Sequence, residues 1–148
     1  MKNKTKFFIK IISIFSCIIF LAVAFFWHFY WENNEIIEIN GQKFRVELAK
    51  TIQEQSQGLG GRENLAQNEG MLFEFGKYGE YVFWMKDMKF NLDIIWIADD
   101  KIVHLEKNIP CDSLKKIDPK IIANKVLEIN AGISDKYNFK IGDRVIIY

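Results

Sequence analysis

The chain has 148 residues, a formal net charge of +1 and 49% hydrophobic residues, which allows about one globular domain plus a terminal appendage. Residues 36–148 hold 16 Lys and Arg against 17 Asp and Glu, so no basic footprint for nucleic acid is present. Of the two cysteines, Cys17 and Cys111, only Cys111 falls in the polar part of the chain, which excludes a disulfide within that part.

The N-terminus reads as an anchor. Lys2, Lys4, Lys6 and Lys10 precede an uncharged run from Ile11 to Trp31. At about 1.5 Å per residue this run matches a hydrocarbon core of about 30 Å. The lysines lie on one side and Glu32, Glu35 and Glu38 on the other, so lysine bias places the N-terminus in the cytoplasm and the remainder outside. Trp27, Tyr30 and Trp31 suit the outer interfacial belt. Two cleavage alternatives exist, AVA at 22–24 and Ser16-Cys17, but either would leave FFWHFYW exposed near a new terminus. An uncleaved signal anchor is therefore expected, in a single-pass protein with its lipid bilayer as one partner.

The expected organisation is a basic cytoplasmic segment at 1–10, a transmembrane anchor at 11–31, a juxtamembrane segment and first strand at 32–42, and an extracytoplasmic domain at 43–148. That domain reads as mainly β. Asn40-Gly41 separates two alternating runs, a strong signal for a type I′ hairpin, which needs φ > 0 at both turn residues. Phe44, Val46 and Leu48 then face a core while Lys43, Arg45 and Glu47 face water. Thr51 and Glu54 form a capping-box pattern that starts a short helix, and Gly58, Gly60 and Gly61 end it. GLGGR at 58–62 also has the composition of an anion-binding nest, but it lacks the lysine and hydroxyl of a phosphate loop, and a turn scaffold is favoured.

From Gly70 onward GMLFEF, YVFWMKDM, DIIWIA, KIVHLEK, KVLEIN and DRVIIY follow one another, separated by turn residues. This is the pattern of a small barrel-like or sandwich domain with one or two short helices. YVFWMKDM is apolar at both parities and predicts a strand covered on both faces, in which Lys86 and Asp87 are anomalous.

GLGGRENL, GMLFEF, FWMKDM, LDIIWI, PC, VLEINAG and IGDRV occur here in an order that resembles the domain of unknown function 192 family. The resemblance runs from about Phe44 to Ile147. It implies a compact, mainly β, barrel-like domain, often exported or tethered to a membrane, with no established activity. The chain departs from the family pattern at Gly60, Asp87, Met88 and Asn91, and lacks the second cysteine that many members carry after the PC cysteine.

The hairpin DIIWIADDKIVHLEK carries the remaining polar groups. A two-residue turn at Asp99-Asp100 places Leu92, Ile94, Trp96, Val103 and Leu105 on one apolar face. The other face then holds Asp93, His104 and Glu106, with Asp93 opposite Glu106. Opposed like charges call for a cation or a shared proton, and Lys86 or Arg62 would supply it. A candidate polar cluster or ligand site follows, made of Arg62, Trp84, Lys86, Asp93, His104 and Glu106.

A non-enzymatic module that binds a small molecule or an envelope ligand leads the functional readings. A hydrolase using Asp93 and Glu106 as acid and base is one alternative, and a purely structural domain of the cell envelope is another. His104 is the only histidine after the anchor, so no histidine-based metal cluster, cofactor site or serine triad is expected.

Overall fold

The structure is a computed structural model that describes residues 15–25, 27 and 34–148. The chain divides into two compact units, Met1–Asn34 and Glu35–Tyr148. In the first, residues 15–25 are helical. Among the described residues no helix is long and apolar enough to cross a membrane, and much of the anchor expected at 11–31 lies outside them.

The second unit is mainly β. Its strands are β1 (Asn34–Ile39), β2 (Gln42–Ala49), β3 (Glu69–Glu80), β4 (Leu92–Ala98), β5 (Lys101–Ile109), β6 (Ile122–Asn130) and β7 (Val145–Ile147), with short helices at Ile52–Gln57 and Ile133–Lys136. They form one sheet in the order β5-β4-β6-β3-β2-β1-β7. The β2–β3 pair is parallel, and its connection carries the first helix because parallel neighbours need a crossover. The sheet curls until its two edges meet at one end. There Lys101 bridges Arg144, Ile102 N–H donates to the Asp143 carbonyl at 3.0 Å and Val145 N–H to the Asp100 carbonyl at 2.7 Å. The result is a half-barrel.

Local chemistry accounts for the turns. Asn40 and Gly41 have φ of 51° and 79°, the two positive values of the expected hairpin, and Lys43 reaches Glu38 across it at 3.6 Å. Thr51 caps the first helix through a full capping box with Glu54, whose carboxyl is held below its usual pKa chiefly by the Thr51 and Lys50 backbone N–H groups. Gly58 ends the helix at φ 52° and ψ −140°, a region open to glycine.

Because strand side chains alternate, the sheet has two apolar faces. The inner face gathers Ile37, Ile39, Phe44, Val46, Leu72, Ile95, Ile97, Leu127 and Ile129 around Ile133 and Phe139. The outer face gathers Met71, Phe73, Leu92, Ile94, Trp96 and Val126, and is covered by Leu59, Phe83 and Met85.

Three expectations are corrected here. YVFWMKDM is not a strand: it is an extended cover over the outer face, joined to the chain by a bridge from Phe83 to Ile117 and by Trp96 Nε1 donating to the Tyr81 carbonyl at 2.9 Å. Only one parity is buried, Phe83 and Met85, whereas Val82, Trp84 and Lys86 are exposed. Secondly, β5 carries an extra residue at Val103, since Trp96 pairs with His104 but Ile97 with Ile102. Such a bulge shifts the alternation by one, so His104 joins the Trp96 face and Leu105 packs with the inner core. Thirdly, a further extra residue lies between Glu106 and Ile109, which pair with Ile94 and Leu92. The first bulge already sets Glu106 beside Ile94 on the outer face, while Asp93 points to the inner one.

Candidate functional site

The polar cluster expected from sequence does not assemble. Asp93 is fully buried, and its carboxylate accepts backbone N–H bonds from Asn108 at 2.8 Å, Gly132 at 3.1 Å and Ser134 at 2.8 Å. The second bulge makes this possible: Asn108 adopts φ 55° and turns its N–H onto Asp93. Two further donors come from the start of the Ile133–Lys136 helix, where a carboxylate is favoured by free N–H groups and the helix dipole. Asp93 is a clamp joining β4, β5 and this helix.

Lys86 does not pair with Asp93. Its Nζ lies over the Trp84 ring, 5.4 Å from the centroid, as residues two apart on one face of an extended segment allow. Arg62 binds Glu47 through two parallel bonds of 2.5 and 2.7 Å, the bidentate fork that guanidinium favours, and Glu47 holds its pKa above the usual value against the effect of burial. His104 and Glu106 form a separate half-buried pair at 2.9 Å. Asp87 occupies a turn at φ 57°, a conformation that aspartate and asparagine tolerate better than most residues. Its carbonyl accepts Gly61 N–H at 2.8 Å.

The group that sequence reading passed over is Glu128. It lies on β6, an interior strand, between Met71 of β3 and Ile94 of β4, facing the outer apolar layer. The residue is 5% exposed, and its Oε2 is buried without a hydrogen-bond partner. Desolvation, opposed only by the charge of Arg62, raises its pKa to about 8, so the carboxyl is mostly protonated at neutral pH. The signal was present in VLEIN, where an acid sits inside a strand of apolar neighbours, but a run read for periodicity makes one polar residue look like its solvent face.

Glu128 lines a cavity of about 140 Å³ together with Gly58, Leu59, Gly60, Phe73, Phe83 and Met88, and Trp84, Lys86 and Asp87 also line it. The glycine loop forms part of this wall. A Cβ on Gly58 would stand 3.4 Å from the Phe73 ring and 3.8 Å from Glu128 Oε2, and one on Gly60 would stand 3.0 Å from the Gln57 carbonyl. The loop is not an anion nest: the N–H groups of Gly58, Gly60, Gly61 and Arg62 donate to the carbonyls of Glu54, Gln57, Asp87 and Leu59. No group of three or more His, Cys, Asp or Glu side chains suited to a metal occurs among the described residues.

Residues 35–147 match the DUF192 family, described as "Uncharacterized ACR". The chain belongs to this family. No curated protein matches this DUF192 chain. Two crystal structures resemble it: a Sinorhizobium meliloti 1021 protein provisionally described as a transcription regulator, 32% identical, TM-score 0.74, covering 77% of this chain and 93% of its own; and a protein of unknown function from Novosphingobium aromaticivorans DSM 12444, 33% identical, TM-score 0.68, covering 76% and 82%. These similarities agree with the half-barrel.

Proposed function

We propose that this DUF192 chain is a membrane-tethered, extracytoplasmic binding module that receives a small ligand in the Glu128 cavity and catalyses no reaction. The observation that carries the binding reading is Glu128 Oε2, a buried carboxyl oxygen without a partner at the wall of a cavity that Trp84 and Lys86 also line. A buried polar atom left unpaired is destabilising by about 1–3 kcal/mol, and a ligand donor would remove that penalty. Tethering is supported by the lysine-flanked apolar run and by helical residues 15–25, whose Phe15, Ile18, Phe20 and Leu21 side chains are exposed.

The hydrolase alternative has less support. Asp93 spends its carboxylate on three backbone donors and faces away from Glu106, so the two do not converge on one bond. A nucleic-acid role, suggested by the description of the Sinorhizobium neighbour, has no basic stripe to act through.

Full-length protein in detergent micelles is the sample for a test by thermal shift and ligand-observed NMR against a fragment panel. Binding that raises the wild-type Tm and is lost in Glu128→Gln supports the module. No binder, together with unfolding of both Glu128→Gln and Glu128→Leu, would favour the structural alternative. Protease added outside intact cells is expected to digest the β domain. Protection of that domain until the cells are broken would refute the topology.

A further inference from the structure

The class of ligand can be narrowed further, on the premise that the Glu128 cavity is a binding site. We propose that it takes the primary ammonium group of a small organic amine, with Glu128 as the counter-charge and Phe73, Phe83 and Trp84 as the apolar wall for the amine's short stem.

Four observations lead there. The unpartnered group is a carboxyl oxygen, and once a ligand draws the group into its ionised form it only accepts hydrogen bonds and calls for a donor. Neither nearby cation bonds Glu128, since Arg62 is held by Glu47 and Lys86, although it lines the cavity, lies over Trp84. The N–H groups of Gly58, Gly60, Gly61 and Arg62 are bonded to carbonyls of the fold, so this wall has no free row of donors for an anion. Aromatic rings line the cavity, and such rings attract cations. Lys86 on Trp84 already displays that attraction within the chain.

Other cations fit less well. Two carboxyl residues line the cavity, Glu128 and Asp87, and with no ligating group of three or more among the described residues they are too few for calcium or magnesium, which take about six or more oxygens. The volume of about 140 Å³ is below the roughly 300 Å³ of drug-sized sites, so a head group with a few methylenes fits, not a large metabolite. The ammonium would come from a free alkylamine or from a lysine side chain, two sources with the same chemistry.

Binding must then move a proton. Glu128 is mostly protonated when the cavity is empty, and the ammonium requires its carboxylate, so a proton leaves to solvent as the amine enters. The charged groups that bear on this titration are Arg62, Glu47 through Arg62, and Lys86 and Asp87 lining the cavity.

Isothermal titration of the full chain in micelles with butylammonium chloride, in phosphate and in Tris at pH 7, tests the idea directly on wild-type protein. The expected result is a buffer-dependent heat corresponding to proton release, and affinity that rises about tenfold or more from pH 6 to pH 8. Glu128→Gln is expected to keep its fold and lose binding at least tenfold. N-acetyl-lysinamide binding in place of butylammonium would support the same ammonium chemistry and assign it to a lysine side chain. Amine binding without proton release and indifferent to Glu128→Gln would overturn the inference. So would binding of butanamide in place of the amine, although the cavity would then remain a ligand site. If neither amines, butanamide nor the fragment panel binds, the site reading falls as well.

Discussion

Two buried carboxyl groups in one small domain meet opposite fates. Asp93 is surrounded by backbone N–H groups, and burial strengthens rather than weakens its role, because charge-assisted bonds gain in a low dielectric. Asp93→Asn keeps the shape but turns an NH₂ group toward a backbone N–H, leaving at least one donor unpaired. It is expected to lose about 3 kcal/mol of stability by urea denaturation; a loss under about 0.5 kcal/mol would contradict the clamp. Glu128 has no such donors. Below the ordinary glutamate value of 4.5 it is protonated in both folded and unfolded chains, and from there to about 8 only the unfolded chain ionises. The folded state then binds more protons, so stability falls as pH rises through this window and levels off above it. Glu128→Leu is expected to flatten that slope and to exceed wild type by about 3 kcal/mol or more at pH 9, read from denaturation midpoints at pH 5 to 9. Equal slopes in the two proteins would count against a buried neutral acid.

Among the elements, most strands were legible because alternation, Asn40-Gly41 and Asp99-Asp100 fix them locally. Bulges were not, since nothing in KIVHLEKNI marks one residue as supernumerary. That single omission moved His104 and Leu105 to the wrong faces and set Asp93 against Glu106, from which the expected cluster followed. The cover segment failed for a related reason: FWMKDM has the composition of a two-sided strand, yet Trp84 remains 53% exposed, and composition alone does not say which side lacks a neighbour. The bulge makes a prediction of its own. Deleting Val103 should leave the faces of β5 intact and cost about 1–2 kcal/mol of lost burial. Deleting Ile95 from β4, which has no spare residue there, should throw the rest of the strand onto the wrong face. Circular dichroism melts of the pair decide it: similar Tm values would argue against the bulge.

At the scale of the molecule, the family and the mainly β class were readable from ordered motifs spread over the domain, whereas the half-barrel and its cavity were not. The cavity depends on four separated pieces meeting: the glycine loop, Phe73, the Phe83–Met88 cover and Glu128. No local pattern encodes that meeting. The strand order makes a further demand, because β6 lies between β3 and β4, so the two groups of strands before it share no ladder until it arrives. A chain ending at Pro119 is therefore expected to show no cooperative unfolding transition in urea, while a sharp transition would mean that the earlier strands are self-sufficient.

The same strand order has a temporal meaning. In a chain made from its N-terminus the sequences of β1 to β5 precede that of β6, so the place between the edges of β3 and β4 is a slot one strand wide that only a later segment can fill. Until residues 122–130 arrive, any extended segment of suitable pattern is a competitor for that slot. Glu128 weakens the advantage of the native strand, because a buried carboxyl in the middle of the inserting strand carries a desolvation penalty that a purely apolar intruder does not. The residue that lines the cavity of the finished domain thus also leaves the insertion of β6 open to substitution by another chain.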